Sequence, residues 1–128
     1  MRLLTQYYES DCFPTCVAMV AGIPYRRAID LVHPNHIKGQ DYSTDELRAR
    51  EVLENLGFRV IRRRNRLHSF SAITRPAIVA IKLKCENDGH VLVWDPARQR
   101  LLEPYKKYRS LPHSLYLSSI EWVWELSR

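Results

Sequence analysis

Residues 6–22, QYYESDCFPTCVAMVAG, decide how the rest of the chain is read. Pro14 suits the first turn of a helix, where a missing N–H leaves nothing unpaired. Residues 15–21 continue with good or tolerated helix formers until Gly22 closes the end. Cys12 therefore falls at a helix N-terminus. Unpaired N–H groups and the positive end of the macrodipole favour an anion there, which raises the thiolate fraction of a cysteine at that place. Cys16 lies one turn further on, among Val17, Ala18, Met19 and Val20, and is expected to pack in the core. Taken alone, Cys12 also reads as a buried structural thiol. The Cys-x-x-x-Cys spacing resembles half of a metal site or a disulfide, but a helical first turn separates the sulfurs awkwardly and no second pair follows. Neither a metal nor another cofactor is expected.

Outward from this stretch, 128 residues suit one domain, 1–128, large enough to bury a core without staples. Three cysteines, no charged-then-apolar leader and no apolar run near about 18 residues point to a soluble protein in a reducing compartment, with no membrane segment. Cytoplasm is the expected location. Lys and Arg number 20 against 14 Asp and Glu, a formal +6 that suits acidic partners without demanding them. Much of the excess sits in Arg62, Arg63, Arg64 and Arg66. Such a run reads as a solvated strand end, or as a contact for substrate or nucleic acid.

Past Gly22, residues 24–32 read as a second helix packed on the first. His33 and His36 fall at its proline-broken end and read as a solvated loop in preference to metal ligands. A polar loop over 37–42 would border any cleft, and Ser43-x-x-Glu46 has the capping-box pattern for a third helix that ends at Gly57. The charged residues of that helix read as its wet face. Strand texture then takes over. Phe58, Val60 and Ile61 open it, and the apolar run 77–83 suits a central strand covered on both faces, with Cys85 after it as a bystander. Residues 89–94 and 100–104 flank an Asp95-Pro96-Ala97 turn and form a hairpin. His90 opens that hairpin and Glu103 closes it, so the carboxylate returns to the end where the imidazole sits. Residues 105–117 read as an irregular connection. Ile120, Trp122, Trp124 and Leu126 alternate with Glu121, Val123 and Glu125 as a strand with one apolar face. The tryptophans cover the sheet or wall a substrate site. Helices first and an antiparallel sheet after make the expected class α+β.

Gln6, Asp11-Cys12 and Cys16-Val17-Ala18-Met19 together resemble the opening motif of the papain-like cysteine peptidase superfamily, in the form carried by double-glycine leader peptidase domains of bacteriocin exporters and their small stand-alone relatives. The resemblance implies that Cys12 is the nucleophile, that Gln6 contributes to the oxyanion hole, and that a histidine and an acid or amide on following strands complete a triad. His90 and Glu103 occupy those places. The acid often stands in an Asp-Pro pair, which Glu103-Pro104 replaces here; Asp95-Pro96 also spells the pair, so Asp95 is held in reserve. Phe13 stands where the leader peptidases usually carry glycine, which makes it a candidate contact on the approach to Cys12. The implied function is a cysteine peptidase or isopeptidase, acting on a peptide or protein through a thioester acyl-enzyme. An acyltransferase on the same fold, or a catalytically silent binder of protein or nucleic acid, remains open. No exporter segment is present, so processing coupled to transport is not expected.

Overall fold

In the computed structural model, which describes residues 1–8, 10–37, 44–64, 66–83 and 89–128, the first helix, α1, spans Cys12–Ala21. The Asp11 carbonyl starts its ladder, accepting from the Thr15 N–H at 3.1 Å and the Thr15 hydroxyl at 2.7 Å. Gly22 ends it with a φ of 68°, a left-handed conformation that a Cβ disfavours. Helix α2 (Tyr25–Val32) restarts directly behind Pro24. Helix α3 (Glu46–Asn55) closes with Gly57 at φ 94°, where the Gly57 N–H donates to the Glu54 carbonyl and the Phe58 N–H to that of Leu53, each at 3.0 Å. This is the glycine stop that the sequence predicts.

The start of α3 differs from expectation. Asp45 is the cap, its carboxylate accepting from the Leu47 N–H at 2.9 Å, two residues later than the capping box suggested. Glu46 Oε1 accepts from the Trp122 indole N–H at 2.8 Å. Ser43, residues 38–42 of the loop expected over 37–42, and Cys85 lie outside the described residues.

Among the described residues, β1 (Arg59–Arg62), β2 (Ala77–Ile81), β3 (His90–Asp95), β4 (Arg100–Leu102) and β5 (Ile120–Ser127) form one antiparallel sheet in the order β1-β5-β2-β3-β4. Strand β2 is central and buried throughout, as its apolar run requires. Its Ile78 and Ala80 join the core formed with α1, α2 and α3, while Ala77, Val79 and Ile81 join a second core on the opposite face. The fold is therefore α+β, with N-terminal helices packed on the sheet.

The second face is covered by segments that sequence alone leaves irregular. Between 105 and 119 the chain forms a 3-10 turn, Lys106–Tyr108, and a short helix, α4 (His113–Ser118). Tyr116 from α4 packs with Phe70, Ile73 and Val123. Val123 is buried as a result, and β5 has two covered faces where alternation predicted one. A register shift after Ala80 pairs Trp122 with Ala80 and Ile120 with Ile81, which leaves Glu121 as a bulge residue.

Candidate active site

Asp11 stands at the head of α1 without capping it. Its buried carboxylate accepts instead from the Tyr8 N–H at 3.2 Å and from the Tyr25 hydroxyl. Burial, with the Asp11 hydrogen bond behind it, pushes the Tyr25 pKa up, so the phenol stays a donor. Helix geometry gives the Cys12 and Phe13 N–H groups no intrahelical acceptor, and Pro14 has no N–H. Two amides thus surround the start of the helix where the Cys12 thiol stands, partly exposed, in the wall of a cleft of about 370 Å³. Cys16, one turn below, is fully buried, and burial is the main reason its thiol pKa is raised. It packs the core, as expected.

His90, only 8 % exposed, also lines the cleft. The β3–β4 hairpin pairs Val93 with Leu102 and so carries Glu103, 4 % exposed, back beside it. The imidazole Nε2–H donates to Glu103 Oε1 at 2.5 Å, which leaves Nδ1 outside that bond, and the Cys12 thiol lines the same cleft. Burial lowers the His90 pKa and is the largest single influence. The hydrogen bonds to Cys12 and Glu103, with the charges of both, outweigh it and raise the value to about 9. Tyr108 sets its ring edge-on to the imidazole at 5.1 Å between centroids, and Tyr105 lies at 6.1 Å. These rings shield the pair from bulk water on one side.

Gln6 is anchored next to the acid. Its backbone N–H donates to the Pro104 carbonyl at 3.0 Å, while Arg109 bridges the Glu103 carbonyl at 2.9 Å and the Thr5 hydroxyl at 2.8 Å. One side-chain N–H of Gln6 donates to the Tyr8 carbonyl at 2.9 Å. Gln6 is not among the described residues lining the cleft. Asp95 is not brought to the site: five residues along the extended β3 separate it from His90, roughly 16 Å, and its Oδ2 lies 3.8 Å from Arg100 Nε.

Phe13, 6 % exposed, contributes to the cleft wall, but its ring packs chiefly on Trp122 and Trp124, at 5.8 and 5.6 Å. Arg62 and Arg64 line an open groove between α3 and β1, Arg63 pairs with Glu125 at 3.6 Å, and Arg66 is exposed. None of the four belongs to the described lining of the Cys12 cleft. That lining does include Glu46, read from the sequence as wet helix face, Glu121, read as alternating with the apolar face of its strand, and Lys107, read as part of an irregular connection. For Glu121 the β5 bulge is responsible, and no local pattern announces it. Among the described residues, no three His, Cys, Asp or Glu side chains converge as a metal site, and no helix is long and apolar enough to cross a membrane.

A helix that begins at a cysteine, laid on an antiparallel sheet whose hairpin holds a histidine and an acid, defines a fold shared with known peptidase domains. The peptidase domain of Streptococcus ComA, a bifunctional ABC transporter involved in a quorum-sensing pathway, has a TM-score of 0.74 at 20% identity, over 98% of this chain and 97% of that one. The peptidase domain of Streptococcus mutans ComA gives 0.68 at 20% identity, with both chains fully covered. No family model matches the sequence, and no curated protein matches it. The likeness is one of fold, and it is the architecture that the resemblance to leader peptidase domains implied.

Proposed function

We propose that residues 1–128 form one cysteine peptidase domain in which Cys12, His90 and Glu103 act together on a peptide or protein. The observation that carries this reading is a single buried imidazole hydrogen-bonded to Glu103 at 2.5 Å and lining the same cleft as the Cys12 thiol. The Cys12 sulfur, as thiolate, attacks the scissile carbonyl carbon and forms the C–S bond. The oxygen takes up the negative charge, stabilised by the Cys12 and Phe13 N–H groups and, as the resemblance implies, by the Gln6 side-chain amide. His90 as imidazolium then protonates the leaving nitrogen as the C–N bond breaks, leaving a thioester. Water, deprotonated by His90, attacks that thioester and releases the acid and the thiolate. Glu103 fixes the tautomer and orientation of the ring throughout.

The sign of the pH dependence follows from the raised His90 pKa. Imidazolium is the acid that the first step needs, and it loses its proton as pH rises through about 9. The expected profile of kcat/KM therefore has an alkaline limb near that pH, measured on any peptide the protein cleaves.

Incubation with a degenerate peptide library in ¹⁸O-labelled water, read by mass spectrometry, tests the reading. Peptidase action predicts new C-termini carrying the label, absent with Cys12→Ala. Products that persist in Cys12→Ala would contradict it, and Cys12-dependent products joined to an added amine would assign the acyltransferase instead.

A further inference from the structure

Glu103 differs from an aspartate in having one more rotatable bond, so reach is gained at the expense of a carboxylate that must be held in place. Three donors hold it. Oε1 accepts from His90 Nε2 at 2.5 Å and from the Tyr105 N–H at 2.9 Å, and Oε2 accepts from the Tyr116 hydroxyl at 3.0 Å. Tyr116 comes from α4 on the far side of the sheet, 3 % exposed and fixed in the second core. That single O–H is shared with the Tyr108 carbonyl, 2.7 Å away, in a bifurcated bond, and Tyr108 is the residue whose ring stands edge-on to the imidazole. One buried phenol therefore joins the acid that orients His90 to the turn that walls it. From these contacts we infer that Tyr116 is a positioning residue of the site, holding the Glu103 carboxylate in the orientation in which Oε1 meets His90. This inference rests on the Cys12–His90–Glu103 reading above.

The phenol suits the task. Burial, followed by the neighbouring Glu103 charge and the hydrogen bond to it, pushes the Tyr116 pKa up, so the group stays a donor at every pH where the site works. A hydrogen bond to a charged acceptor is about twice as strong as a neutral one, and in a buried site little water competes for it. The ring alone would fill the same core volume without it. Tyr116→Phe therefore separates positioning from packing.

The test is a double-mutant cycle read by the rate of Cys12 carbamidomethylation near neutral pH, with intact fold checked by thermal unfolding. Tyr116→Phe is expected to slow the reaction roughly tenfold, the scale of one charge-assisted hydrogen bond, and to have no further effect when Glu103 is already alanine. An unchanged rate in Tyr116→Phe, or the same slowing with and without Glu103, overturns the inference. If Glu103→Ala and His90→Asn also leave the rate unchanged, the catalytic reading falls with it; if they slow it, that reading stands and only Tyr116 is excluded. Should Tyr116→Phe not fold, 3-fluorotyrosine placed at position 116 keeps the ring and strengthens the donor. Its altered pull on Oε2 shifts the pH profile of Cys12 alkylation, and an unshifted profile overturns the inference.

Discussion

Cys12→Ser lowers the turnover of any peptide this protein cleaves by roughly 10⁴-fold or more, and His90→Asn lowers it by about 10²- to 10⁴-fold. A serine hydroxyl at the head of α1 is far from ionised at neutral pH, and an imidazole tuned to a thiol cannot compensate. Asparagine at 90 can still donate to Glu103 and fill much of the same space, yet it neither accepts nor returns a proton. Residues that act as a unit are not additive, so the double variant falls no further than Cys12→Ser alone. Steady-state rates of the four proteins on one peptide check this. A Cys12→Ser protein with wild-type turnover would remove the thiol from the chemistry.

The second large effect is on stability. Phe13→Ala is expected to cost about 3–5 kcal/mol, a large share of the roughly 5–15 kcal/mol that holds a domain together. The ring is buried against Trp122 and Trp124, which themselves stack at 4.3 Å between centroids, so its removal leaves a cavity walled by two large rings. Because Phe13 directly follows Cys12, the same cavity loosens the end of α1 that presents the thiol. Thermal unfolding should show a fall of roughly 10 °C or more. Glycine, the residue usual at this place in the leader peptidases that the sequence resembles, should do worse still through its helix cost of about 1 kcal/mol. A variant as stable as wild type would mean that the aromatic cluster does not anchor the helix.

These expectations depend on features that were unequally visible in the sequence. Helix ends at Gly22 and Gly57 were legible because a left-handed turn needs glycine, and β2 was legible because a strand covered on both faces must be apolar throughout. The meeting of His90 with Glu103 was legible for a geometric reason: a hairpin returns the residue that closes it to the one that opens it. The same geometry sends Asp95 to the other end. What stayed hidden depends on tertiary placement. Tyr116 reaches Glu103 from a six-residue helix too short to show a period, and Glu121 enters the cleft through a bulge fixed by the pairing of β2 with β5. Asp45 caps α3 and Glu46 accepts from Trp122, an interaction between residues 76 positions apart that no local pattern announces. Phe13, read as a contact on the approach to Cys12, packs chiefly in the core, since the two tryptophans that receive it lie on a strand more than a hundred residues away.

The Cys12–His90 pair is the centre of the account, and the pH dependence of carbamidomethylation at Cys12 tests it most directly. Mass spectrometry of the native protein, with free cysteine as the reference thiol and His90→Asn as the control, gives the rate at each pH. The pair predicts that Cys12 reacts faster than free cysteine below about pH 7, where few ordinary thiols are ionised, and that the advantage disappears in His90→Asn. A Cys12 that follows free cysteine across the whole range, with or without His90, would contradict it.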